Sequence, residues 1–462
     1  DEGIPTYDTP ERAVRAFTVL HNYSQNLKLL QEIPSKLPHE IEPDHDEAKS
    51  LIKNGLEKEN KLLSEVESKK LLSCYGIPVN RTEAAGSLEE AVRIAPEMGY
   101  PLVMKINSPE ISHKTEAGGV KTDLRSEEDL RQAYEQVMAS ARNYDPDAHI
   151  LGVTLQPMVR NPDIELLVGA KKDRSFGPVI LFGLGGVFAE VLADSNTGLV
   201  PLNRTLARRL MERTKTYKLL QGFRNIPAAD MGLLEQLLVC LSHLLVDIPE
   251  IAELDMNPVI VKEGKPCAVD ARVLLTKAEL PSPLHLVISP YPEQYESRET
   301  TSGGLDIFIR PIKPEDAPML LDLFDSLSSR SRYYRFFSPM KSLSQDMLVQ
   351  LTQIDYDRHI ALVAFGKENG QEKMLGVARV ISGASREDAE FSVAVGDPWQ
   401  EMGVGRVLAK KSIEVAKDYG IQRIHGNVLA ENKHMLKLGR EMGFRVSRGE
   451  VANEYCLSMK LK

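Results

Sequence analysis

Apolar residues recur at helical spacing between positions 10 and 30 (Ala13, Val14, Phe17, Leu20), and Pro34, Pro38 and Pro43 then interrupt the pattern among acidic residues. The segment reads as a helix followed by a linker. From Ala48 to about Lys277, short apolar runs alternate with helical patterns. Strands are predicted at 101–105, 165–169 and 177–182, and helices at 88–95 (with Ser87 as N-cap), 127–141 and 233–245. A second proline-rich linker, 280–304, ends in Thr300-Thr301-Ser302-Gly303-Gly304, and a new unit opens at the strand 305–311. The pattern implies an α/β multidomain chain with no internal repeat.

Length and charge narrow the class. A chain of 462 residues exceeds one ordinary core, so two or three domains are expected. The boundaries read as the end of a domain at 1–33, a linker at 34–47, a domain at 48–277, a linker at 278–304 and a domain at 305–462. The chain opens on Asp1, and Gly3 to Tyr7 reads as the last strand of a domain whose body lies upstream. A net charge of -9 argues against a nucleic-acid partner. No run is apolar enough to span a bilayer, so no membrane partner is expected. Cys74, Cys240, Cys267 and Cys456 lie far apart, which suits a reducing cytoplasm better than a disulfide framework.

The segment 390–420 carries the clearest chemistry. Residues 390–395 alternate as a strand, and Gly396-Asp397-Pro398-Trp399 breaks it. The loop Gln400-Glu401-Met402-Gly403-Val404-Gly405 then feeds a helix stopped by Gly420. First-turn amides have no intrahelical acceptor and the helix dipole favours negative charge, so this turn can cradle a phosphate. Gly403 and Gly405 remove obstructing Cβ atoms, and Arg406 adds a cation. Glu390, heading the strand, is a candidate base, against the plainer reading of a solvated carboxylate after Arg386, Glu387 and Asp388. Tyr455 could protonate a leaving thiolate, although strand tyrosines more commonly pack on neighbours. His359, His425, His434 and Trp399 read as packing or surface residues. The run 331–337 mixes cations with aromatics and reads as a substrate-facing helix or a packed face.

With Gly426-Asn427-Val428-Leu429-Ala430-Glu431-Asn432 and Gly443-Phe444 following, residues 305–461 resemble the GNAT acetyltransferase superfamily. Its opening, Ile309-Arg310-Pro311-Ile312-Lys313-Pro314-Glu315-Asp316, is of a kind common in bacterial members. The resemblance implies that acetyl-CoA lies in a splay between parallel strands at 390–395 and 421–428. Backbone groups of Val393 and Val395 would pair with the pantetheine. Gln400, Met402, Gly403, Val404, Gly405 and Arg406 would hold the pyrophosphate, with Asn432 nearby and Glu390 as general base. A positioned base contributes ~100- to 10,000-fold in rate.

In the middle domain, Lys105 closes a buried-looking strand, where a phosphate partner would offset an unpaired cation. Glu253, Asp255 and Asn257 occupy one face of a strand whose other face carries Leu254 and Met256. With Asp270 on the next strand, these oxygens suit magnesium bridging phosphates, and the apolar flank at 258–261 suggests an interior strand rather than a water-exposed polar face. Together with His113-Lys114-Thr115-Glu116-Ala117-Gly118-Gly119-Val120, Phe182-Gly183-Leu184-Gly185-Gly186 and Glu253 to Pro258, they make 48–277 resemble the ATP-grasp domain of ADP-forming acyl-CoA synthetases. The resemblance implies that Lys105, Gly118, Gly119 and Glu165 hold ATP and that Asn257 and Asp270 ligate Mg2+. His113 would relay phosphate beside Asp255. Glu116 stands where Asp is usual, and 193–198 lacks a basic residue often present in active synthetases.

An ATP-grasp domain followed by a GNAT domain resembles bacterial protein lysine acetyltransferases with a synthetase-like regulatory region. Their implied partner is a protein bearing an acceptor lysine, such as acetyl-CoA synthetase, and the chain is compatible with a homo-oligomer. Two alternatives stay open. One is an ADP-forming acetate–CoA ligase with an accessory GNAT domain, and the other is a small-amine N-acetyltransferase.

Overall fold

The computed structural model describes residues 5–30, 43–111, 114–186, 194–368, 370–383, 385–449 and 451–461. The chain divides into two compact units, 36–288 and 289–462, and residues 1–35 group with the second. The helix Pro10–Leu30 leaves Val14, Phe17 and Leu20 exposed. Pro5, Thr6 and Tyr7 are not in a strand, and Gly3 and Ile4 of the strand expected there, like the prolines at 34 and 38, lie outside the described residues.

The first unit holds two sheets. Strands β1 (Glu83–Ala85), β2 (Leu102–Asn107), β3 (Val120–Leu124) and β4 (Gly152–Pro157) pair in the order β1-β4-β2-β3. The helices Leu88–Met98 and Glu127–Tyr144 pack on this sheet. Each starts where a serine accepts a first-turn amide: Ser87 from Glu90 and Ser126 from Asp129. The second sheet contains β5 (Ile164–Asp173), β6 (Gly177–Leu184), β7 (Ser195–Leu199), β8 (Ile251–Lys262), β9 (Lys265–Ala268) and β10 (Arg272–Leu275). Its order is β10-β8-β5-β6-β7, with β9 on β8. The apolar helix Met231–Asp247 contributes Leu234, Leu237, Leu241 and Leu244 to the core beside it.

Strand β8 is interior to its sheet, between β10 and β5, and alternates as its sequence dictates. Leu254 and Met256 are buried, while Asp255 and Asn257 are open on the other face.

The second unit is one eight-stranded sheet of β11 (Ser297–Thr300), β12 (Asp306–Pro311), β13 (His359–Glu368), β14 (Gln371–Ser382), β15 (Asp388–Val395), β16 (Arg423–Leu429), β17 (Arg445–Arg448) and β18 (Glu454–Lys460). Its order is β11-β12-β13-β14-β15-β16-β18-β17. The helix Val404–Asp418 buries Val404, Leu408, Val415 and Ala416 against one face. The helices Ala317–Asp325 and Gln345–Thr352 cover part of the other, with Leu320, Phe324 and Leu348 against Val363 and Val377.

Candidate functional site

The parallel pair β15/β16 is in register at only three positions: Asp388 with Arg423, Ala389 with Ile424, and Glu390 with His425. Beyond Glu390 the strands part. β15 stays hydrogen-bonded to β14 as far as Val395, and β16 pairs with β18 instead. Gly426 follows the last paired residue, where a Cβ would lie 2.5 Å from the Phe391 carbonyl oxygen. A side chain there would force the strands apart at the point where they must still touch.

The splay opens a cleft of about 1300 Å³, lined by Glu390, Val393, Val395, Gly403, Gly405 and Asn427 among others. Gly403 holds φ +90° and its missing Cβ would sit 2.5 Å from Ser302 Oγ, so only glycine fits. It precedes the helix Val404–Asp418, and no side chain caps that helix start. The first-turn amides are therefore free of a side-chain acceptor, which is the arrangement an anion needs.

The residues singled out from sequence divide. Gln400 lines the cleft, yet its amide donates to Val395 O (3.1 Å) and Asp397 Oδ1 (3.0 Å), so it ties the loop together. Arg406 lines it while ion-paired with Glu441. Asn432 lines it and caps the next helix, Lys433–Glu441, by accepting from Met435 N–H (3.1 Å). Three expected residues are not in the lining. Val404 is buried in the core, Met402 gives its carbonyl to Gly303 N–H (3.2 Å), and Tyr455 packs on the core beside the helix Val404–Asp418. Tyr455, the candidate acid, is thus placed partly buried against the core, outside the cleft lining. His425, set aside from sequence, stands in register with Glu390, with Nδ1 buried and unpartnered among the described residues.

The first unit brings together another set of charges. Lys105 is 6% exposed and donates to Glu65 (2.8 Å) and the Val269 carbonyl (3.1 Å), with Asp270 3.2 Å away. The expectation of an unpaired cation awaiting phosphate is corrected, because carboxylates already compensate its burial. Glu65, itself 6% exposed, also holds Lys69 (3.1 Å) and Lys114 (2.7 Å). Burial would raise the Glu65 carboxyl, but the ammonium groups of Lys105, Lys114 and Lys69 overcome it and hold it at about 2. Burial pulls Lys69 down to about 8, since one carboxylate is shared among three lysines. Lys105 is held above the usual lysine range, with Asp270 and Glu65 outweighing its burial.

Lys114 reaches this cluster from the turn in which Gly118 N–H donates to Thr115 O (3.1 Å) and Gly119 N–H to Lys114 O (2.8 Å). Gly119 has no room for a Cβ, which would lie 2.6 Å from Ile106 Cγ2. His113 lies outside the described residues. Glu165 stands on the other sheet against Gly186, where a Cβ would meet its carboxylate at 2.2 Å. Although Asp255 is open at its face of the sheet, partial desolvation by the surrounding protein and then the neighbouring charge of Asp270 raise its carboxyl, offset in part by Arg272. Two repelling carboxylates beside Asn257 are a donor set that a divalent cation would relieve. Among the described residues no three such ligands converge, so phosphate oxygens and water would have to complete a shell. Sequence reading missed Glu65 and Lys69; the Ser64–Glu67 capping box marked their helix but not its inward charge.

Comparison with known proteins agrees with both halves. Residues 54–275 match the ATP-grasp domain family and 306–445 the acetyltransferase (GNAT) domain family. Subunit beta of the ADP-forming acetate–CoA ligase I of Pyrococcus furiosus is 41% identical over 217 residues, which is 47% of this chain and 93% of that subunit. The ADP-forming acetate–CoA ligase I of Archaeoglobus fulgidus is 37% identical over 273 residues, 59% of this chain but only 39% of that ligase. An acetyltransferase of Pseudomonas aeruginosa is 30% identical over 146 residues, 32% of this chain and 78% of that enzyme. The chain belongs to the ATP-grasp family of ADP-forming acetate–CoA ligase beta subunits in its first unit and to the GNAT acetyltransferases in its second.

Proposed function

We propose that the chain serves as the ATP-grasp part of an ADP-forming acyl-CoA ligase and carries a GNAT unit that acetylates an amine. The observation that carries the ligase reading is the similarity to a ligase beta subunit over 93% of that subunit. In this reading Lys105, Lys114 and Glu165 hold ATP, and Asp255, Asn257 and Asp270 ligate Mg2+, which neutralises phosphate charge. Three lysines against two carboxylates leave the cluster with a cation for phosphate. The test is acetyl-CoA, ADP and phosphate formation from acetate, CoA and ATP by this chain, with a ligase alpha subunit supplied. If neither direction proceeds while ATP binds, the ligase reading fails.

For the GNAT unit, the splayed cleft supports acetyl-CoA with its pyrophosphate at the uncapped helix start. Glu390 takes a proton from the ammonium, the freed amine attacks the thioester carbonyl to form the C–N bond, and the C–S bond breaks as the second nitrogen proton passes to sulfur, giving amide and CoA thiol. A second reading is favoured by the exposure of Glu390 on the cleft wall, which a protein side chain can reach. The acceptor is then a lysine of a metabolic enzyme such as acetyl-CoA synthetase, with the ATP-grasp unit as regulator. Radiolabelled acetyl-CoA incubated with that enzyme should label it. Label on a free amine alone would overturn the protein acceptor.

A further inference from the structure

Arg379 is the only charged residue in the run Met374 to Ile381, and it is 2% exposed. Its guanidinium donates to the Leu351 carbonyl (2.8 Å) and lies 3.0 Å from His359 Nε2. Burial and then the Arg379 charge push His359 down to about 4, so the imidazole is neutral and Nε2 accepts. Among the described residues no carboxylate pairs with Arg379. Arg310 of the same unit, by contrast, meets both oxygens of Asp316 at 2.6 and 2.8 Å.

A second guanidinium stands close by. Arg335, on the helix Ser329–Phe336, lines the acetyl-CoA cleft and also a small apolar cavity behind it that Arg379 borders. It too has no carboxylate within ion-pair distance among the described residues, although the Glu390 charge acts on it. Arg379 is opposite Ser392 in the sheet, and Ser392 and Glu390 share a face. Two adjacent guanidinium groups with no ion-paired carboxylate among the described residues, in a half-desolvated wall where only the base's charge is near, are costly unless a ligand supplies a partner.

We propose that Arg335, backed by Arg379, binds a carboxylate of the acceptor, so that the GNAT unit takes amines carrying an anionic group a few bonds from the reacting nitrogen. This rests on the acetyltransferase reading. The carboxylate can come from a free amino acid or from an acidic residue flanking a lysine.

The full chain is assayed with acetyl-CoA and paired acceptors: an amino acid against its carboxamide, and a lysine peptide with flanking Glu against the same peptide with Gln. The pair that responds identifies the source. We expect kcat/KM to favour the carboxylate by about tenfold or more. That ratio should fall toward unity in Arg335→Gln and partly recover in Arg335→Lys. No preference in the wild type, no turnover of any carboxylate acceptor, or equal loss on both members of a pair in Arg335→Gln would overturn the proposal. Calorimetry with acetyl-CoA separates the two levels: failure to bind it refutes the acetyltransferase reading itself, whereas binding without preference refutes only the carboxylate site.

Discussion

Each unit buries a cluster of cations, and the two are balanced differently. Around Glu65, three lysines share two carboxylates and a backbone carbonyl, so the cluster holds together without a ligand. Around Arg379, a neutral imidazole and one carbonyl are the partners, and the second arginine adds like charge. The first cluster can serve stability and phosphate binding at once, because a single spare cation suffices for the second task. The second gains little for the fold as it stands. Its physical sense lies in an anion that arrives with the substrate.

The largest effect that would test this contrast is catalytic. Glu390→Gln should lower acetyl transfer by ~100- to 10,000-fold while leaving acetyl-CoA affinity within about threefold, read by single-turnover kinetics and calorimetry. An unchanged rate at every pH would remove Glu390 from the chemistry and with it the reason for arginines beside it.

The next effect is on stability. Glu65→Ala leaves Lys105 and Lys69 buried without their shared anion, so the first unit should lose about 3–5 kcal/mol in denaturant unfolding. Arg379→Met, which orphans no carboxylate, should cost clearly less in the second unit. Equal losses would erase the distinction between a paired and an unpaired cluster.

Gly426→Ala sharpens the picture of the splay. The new Cβ would press on the Phe391 carbonyl, costing about 1–3 kcal/mol and weakening acetyl-CoA binding. Wild-type affinity in this variant would show that the strands can part differently.

The remaining effects are in pH. The Glu65 carboxyl lies at about 2 against an ordinary 4.5, so its contribution is present above 4.5 and is lost as pH falls toward 2. His359 is neutral in the fold down to about 4 against an ordinary 6.5. The unfolded chain therefore binds the extra proton between those values, and stability of the second unit falls as pH drops from 6.5 to 4. His359→Gln should flatten that slope, measured as thermal midpoint against pH. An unaltered slope would assign it to other groups.

Local order was legible where local chemistry decides it. Ser87 caps its helix, Glu253 to Asn257 alternate on their strand, and Gly420 at φ +70° follows the helix Val404–Asp418. The roles of Met402, Val404 and Tyr455 were not legible, because each depends on which way a residue turns once its element is packed. The same holds for Glu65, whose three lysines come from its own helix, from β2 and from the turn after it.

By itself, then, the sequence determined the elements, the glycine positions and the two families, since periodicity, capping and tight turns are properties of neighbouring residues. Only the tertiary structure decided the charge balance. Electrostatic compensation is set by distance and desolvation, and the partners of Lys105 and Arg379 lie up to 165 residues away along the chain in one case and at a bare backbone carbonyl in the other.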